Sequence, residues 1–105
     1  MTQQQKLTRC PAGIVSVGGR LKLQIAYQLL EGTRRFGELQ RLIPQASRQM
    51  LTLQLRDLEQ MGLLRRQVYE QVPPKVEYSL TDLGRSLEPA LRQFNAWGEL
   101  LGIGL

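Results

Sequence analysis

Histidine is absent from this 105-residue chain, and cysteine occurs once. Zinc sites draw three or four ligands from His, Cys and carboxylates, and this inventory cannot supply the common sets. Neither a metal nor a cofactor is expected. Acid–base catalysis by imidazole and Ser-His-Asp triads fall for the same reason. Paired catalytic carboxylates and a phosphate loop are also missing, so the residues do not point to an enzyme. One thiol closes no internal disulfide, which suits a reducing cytoplasm better than a secreted scaffold. No apolar run approaches the roughly 18–20 residues that span a bilayer. The opening MTQQQKLTRC has no apolar signal core. The expectation is a cytoplasmic protein with no membrane partner. Acids are scarce as well: 9 Asp+Glu stand against 14 Lys+Arg, for a net charge of +5. That balance points to a polyanion, nucleic acid before membrane.

The positive charge is concentrated. Between residues 34 and 56 lie Arg34, Arg35, Arg41, Arg48 and Arg56, opposed only by Glu38. Five minus one leaves +4 in that stretch. Most of the bases are arginine, whose planar fork suits phosphates and guanine edges better than a point charge does. A merely solvated basic surface is the plainer reading of such a cluster.

The apolar pattern supplies an architecture. Residues 1–9 are polar and read as a flexible tail, and 10–105 as one domain without repeats or linkers. Leu21, Ile25, Leu29 and Leu30 recur at helical spacing from Arg20 to Glu31, with Gly32 as the stop. A short second helix runs from Phe36 to Ile43, with Phe36, Leu39, Leu42 and Ile43 inward and Pro44 beyond. Ser47 is a good N-cap for a third helix reaching about Met61 and closed by Gly62. The period then drops to two. Leu64, Arg66, Val68 and Glu70 alternate with their neighbours, as do Val76, Tyr78 and Leu80, giving a hairpin tipped by Pro73, Pro74 and Lys75. Thr81 caps a terminal helix whose Leu83, Leu87, Leu91, Phe94, Trp97 and Leu101 share a stripe. Pro89 predicts a kink or break in it.

Two helices joined by a tight turn and followed by a hairpin make a winged helix-turn-helix, mainly α with a small β-hairpin. At 100° per residue, Leu51, Leu55 and Leu58 of the third helix fall together as a buried stripe. Gln49, Leu53, Arg56 and Gln60 lie opposite, flanked by Arg48 and Thr52. Arg48, Gln49, Thr52 and Arg56 are of the types that read base edges or hold phosphates. Bases lie early in this helix and the acids Asp57 and Glu59 late, so its positive end is the one a phosphate-lined groove admits. Lys75 beside the stiff Pro-Pro pair is a second candidate contact with phosphate or minor groove. The alternative is that the prolines only blunt an exposed edge.

A resemblance becomes specific at this point. It is carried by Cys10-Pro11, Gly18-Gly19-Arg20, RRFGELQRLIP (34–44), SRQMLTLQLRDLE (47–59), GLLRR (62–66), VPPKVEYSLTDLGRSL (72–87) and Trp97-Gly98. Together these resemble the HxlR-type family of bacterial winged helix-turn-helix transcriptional regulators, from Cys10 to about Glu99. The resemblance implies a homodimer on a pseudo-palindromic operator in double-stranded DNA, with repression as the commoner mode. It puts Ser47, Arg48, Gln49, Thr52 and Arg56 in the major groove, Lys75 on the wing, and the helix after Thr81 in the dimer interface. Arg34, Arg35 and Arg41 would then neutralise phosphates. Two positions depart from the family pattern: Leu21 stands where Trp is usual, and Leu53 where a polar Gln is common. An apolar Leu53 either meets a thymine methyl or displaces a polar contact.

Some members of that family sense oxidants or electrophiles through the Cys of the Cys-Pro pair, which here is Cys10. A thiolate beside Arg9 would have a lowered pKa and react readily. Inert packing is the other reading, and the effector, if any, stays open. The terminal helix is more apolar than a small lone domain requires, and Leu91, Phe94, Trp97 and Leu101 are the predicted dimer contacts. A rival function uses the same fold: a winged-helix module that docks an acidic protein partner without specific DNA binding.

Overall fold

The structure, a computed structural model, describes residues 19–102. The tail read at 1–9, Cys10 and residues 103–105 lie outside the described residues. In chain order come α1 (Arg20–Leu29), β1 (Arg34–Arg35), α2 (Phe36–Leu42), α3 (Arg48–Gln60), β2 (Leu64–Tyr69), β3 (Lys75–Leu80), α4 (Asp82–Arg85) and α5 (Glu88–Leu100). The predicted helices, turn and hairpin are all present, and the arrangement is a winged helix-turn-helix.

The core is built almost wholly from leucine and isoleucine. Ile25 and Leu29 of α1, Leu39 of α2 and Leu51, Leu55 and Leu58 of α3 are fully buried together. Each such side chain contributes about 1.5–3 kcal/mol by leaving water. Helix α1 lies at the centre, packing on α2, α3, α5 and β3.

The sheet holds a strand that the sequence reading missed. Its order is β1-β3-β2, all antiparallel, with Arg34 opposite Tyr78 and Arg35 opposite Glu77. Two residues are too few to show an alternating pattern, so β1 exists only through its pairing with β3. In the hairpin, Leu64 faces Leu80, Arg66 faces Tyr78 and Tyr69 faces Lys75. Lys75 is therefore the first residue of β3, and the loop itself comprises residues 70–74.

Two further corrections concern leucines. Leu42, expected inside α2, is exposed. The helix ends there, and Ile43 leaves helical geometry (φ −126°, ψ 68°) to occupy the core position instead. Leu91, expected at a dimer interface, is only 1% exposed within the single chain. It belongs to the domain's own core because α5 packs against α1. The break anticipated at Pro89 is real. Helix α4 ends at Arg85, and α5 begins at Glu88 with proline in its first turn, where the missing N–H costs nothing.

Candidate nucleic-acid interface

Helix α3 begins as its local chemistry demands. The Ser47 Oγ accepts a hydrogen bond from the Met50 amide at 3.1 Å, satisfying a donor that the first turn leaves free. The other end closes on Gly62, whose φ of +79° suits glycine. The Gly62 amide donates to the Glu59 carbonyl and the Leu63 amide to the Leu58 carbonyl, both at 3.0 Å. That pair of bonds is a Schellman closure.

With Leu51, Leu55 and Leu58 turned inward, the helix presents Arg48, Gln49, Leu53, Arg56 and Gln60 to solvent. Arg48, Gln49, Thr52, Leu53 and Arg56 line one shallow hollow of about 420 Å³. The four polar residues expected to address DNA from this helix thus share one surface. Leu53, half exposed at 49%, sits among them.

Two of those side chains are already held. The Arg48 guanidinium lies over the Phe36 ring, 5.0 Å from its centroid, so a residue of α2 supports the tip of α3. The Thr52 hydroxyl donates to the Arg48 carbonyl at 2.8 Å.

The remaining candidates divide between the faces of the sheet. Directly opposed residues share a face, so Arg34, Tyr78 and Arg66 form one row and Arg35, Glu77 and Gln67 another. Arg34 is half-buried, and its Nε donates to the Gln28 carbonyl at 3.4 Å. Arg35 is exposed, while its backbone amide donates to the Glu38 carboxylate at 2.8 Å. Arg41 is exposed on α2, outside both the hollow and the sheet.

Lys75 shares its face with Glu77 and Tyr69. Its Nζ lies 3.4 Å from a Glu77 carboxylate oxygen and 4.8 Å from the centre of the Tyr69 ring. A hydrogen bond to Glu77, reinforced by the carboxylate's charge, raises the Tyr69 phenol above its ordinary pKa. The lysine is thus engaged in a small polar cluster on the wing.

Arg66, on the other face, was not foreseen as a site residue. With Arg56, Thr52, Leu55, Glu59 and Tyr78 it lines a cleft of about 350 Å³ between α3 and the sheet. The Arg65-Arg66 pair at the start of the alternating segment was the available signal. Only the strand register shows which of the two turns toward α3.

A family model described as an HxlR-like helix-turn-helix matches residues 16–102. The chain belongs to this family. Its relatives include the Bacillus subtilis protein named uncharacterized HTH-type transcriptional regulator YdeP. That protein is 52% identical over 83 residues, which are 79% of this chain and 65% of the relative. The chain therefore spans just under two-thirds of that relative's length. Among solved structures, the redox regulator HypR in its oxidised form superposes with a TM-score of 0.82 at 49% identity, over 86% of this chain and 95% of that one. The reduced form of the transcriptional regulator YodB from B. subtilis gives a TM-score of 0.75 at 34% identity, over 88% and 93%. These similar proteins are named as regulators, not as enzymes. Among the described residues, no helix is long and apolar enough to cross a membrane.

Proposed function

We propose that this protein is a cytoplasmic, sequence-specific regulator of transcription that binds double-stranded DNA as a homodimer on a two-fold operator, most simply as a repressor. The observation that carries the reading is the outward face of the Ser47-capped helix. It gathers Arg48, Gln49, Thr52 and Arg56 on one surface beside a β-ribbon. In a dimer, two such helices enter successive major grooves about 34 Å apart. Arg48 and Gln49 address base edges, and Ser47, Thr52 and Arg56 position the helix. Arg34, Arg35, Arg41 and Lys75 neutralise phosphates, with Lys75 exchanging Glu77 for the DNA backbone.

Selecting bound fragments from a random duplex pool tests this directly. A preferred sequence should emerge, with log affinity falling against log salt by about 0.9 per phosphate contact. Arg48→Ala and Gln49→Ala should each cost about 1–3 kcal/mol on the selected duplex and much less on random DNA. Lys75→Ala should weaken both duplexes alike. Equal losses on both duplexes for all three variants would defeat the assignment of roles. No preferred duplex, with binding to acidic proteins instead, would favour the docking-module reading.

Cys10 is proposed as a thiol sensor. Support comes from HypR, described as a redox regulator and solved in oxidised and reduced forms, and from YodB, solved reduced and after diamide. With a single cysteine in this sequence, a disulfide would join two subunits or take up a small thiol. Diamide treatment should change DNA affinity at least several-fold in the wild type and leave Cys10→Ser untouched. An equal response in both proteins removes Cys10 from the mechanism.

A further inference from the structure

We propose that the cleft between α3 and the sheet receives one phosphate of the bound duplex, gripped by Arg56 from the helix and Arg66 from β2. The proposal rests on the DNA-binding reading above and adds to it a phosphate site centred on Arg66. The cleft measures about 350 Å³ and is lined by Thr52, Leu55, Arg56, Glu59, Arg66 and Tyr78.

Three observations converge on an anion. First, the two arginines line the cleft from different elements, so together they offer an anion more than one exposed cation on a smooth surface does. Planar forks on either side of a phosphodiester supply donors to both of its free oxygens. Second, neither Arg56 nor Arg66 is ion-paired or hydrogen-bonded to another described residue. By contrast, Arg34 donates to Gln28, Arg48 lies on Phe36 and Lys75 pairs with Glu77. Third, Thr52 and Arg56 also line the hollow that contains Arg48, Gln49 and Leu53. A backbone strand beside bases addressed by that hollow therefore passes over the cleft.

Glu59 is the opposing charge. With two arginines present, the lining keeps a net +1. Tyr78 also lines the cleft and stands opposite Arg66 in the antiparallel ladder, on the same face of the sheet.

The test uses the full chain on its selected duplex, with single methylphosphonate linkages that remove one phosphate charge at a time. In the wild type, one linkage in each half-site should cost about ten-fold in affinity when neutralised. Arg66→Ala should lose about the same on selected and random duplexes, and its salt slope should fall by about 0.9 for each arginine removed. That variant should also become indifferent to the linkage in question, while Arg66→Lys recovers part of the loss. Arg66 is exposed, so an unchanged melting temperature confirms an intact fold. Wild-type affinity in Arg66→Ala, or undiminished sensitivity at every linkage, overturns the cleft while DNA binding stands. A wild-type chain that binds no duplex overturns both together.

Discussion

Gly84→Ala is expected to unfold the domain or lower its melting temperature by well over ten degrees. Gly84 is buried in α4, and a β-carbon there would run into the Leu63 backbone carbonyl and crowd Leu80. The carbonyl cannot step aside, because it already accepts the Thr81 amide at 3.1 Å. Thr81 is itself tied down: its hydroxyl donates to the Gly62 carbonyl at 2.6 Å and accepts from the Gly84 amide at 3.0 Å. Overpacking against backbone costs about 3 kcal/mol. For a domain of this size each kcal/mol is worth about 4–8 °C. Thermal unfolding followed by circular dichroism measures the effect. A variant melting within two or three degrees of the wild type would show that α4 moves away from the hairpin without penalty.

The second large effect is expected at the end of α5. Phe94, Trp97 and Leu100 are 52%, 56% and 85% exposed, and Leu101 is 56% exposed. At about 100° per residue, Phe94, Trp97 and Leu101 follow one another round the helix beside the buried Leu91, and Leu100 lies on the far side from it. A contiguous apolar stripe that includes a tryptophan is costly to leave in water, and in the proposed homodimer a second copy would cover it. Substituting aspartate at both Phe94 and Trp97 should convert the proposed dimer to a monomer, since buried aromatic anchors contribute about 2 kcal/mol or more each. Operator affinity should then fall by about 10²–10⁴-fold, because the half-sites are no longer engaged together. Sedimentation equilibrium reads the first result and a binding titration the second. A double variant that stays dimeric places the interface elsewhere. The monomer's own fold should survive, as neither ring belongs to the core.

What was legible in the sequence was what short-range chemistry dictates. Ser47 and Gly62 mark the ends of α3 because capping depends on residues within four positions. The Leu51, Leu55 and Leu58 stripe, the return to a two-residue period after Gly62, and the break before Pro89 are equally local. Most of the misses depend on partners distant in sequence. Strand β1 has no pattern of its own and is defined by Tyr78 and Glu77 across from it. Leu42 turns outward because the helix stops one residue early, while Ile43 keeps its expected place in the core. Leu91 satisfies the helical stripe as well as Trp97 does, and only the packing of α5 on α1 separates core from open surface. Arg65 and Arg66 are indistinguishable as letters, and the register of β2 against β3 decides which one turns toward α3.

The stacking of Arg48 on Phe36 has a consequence for fidelity. A free arginine surrenders about 2 kcal/mol of rotamer freedom when fixed against a ligand. Here part of that loss is met within the folded chain, before any duplex arrives. A guanidinium whose direction is preset tests a base by position and tolerates misfit poorly, whereas a swinging one adapts to whatever it meets. On the proposed reading, discrimination at the tip of α3 would then depend in part on the Phe36 ring beneath Arg48.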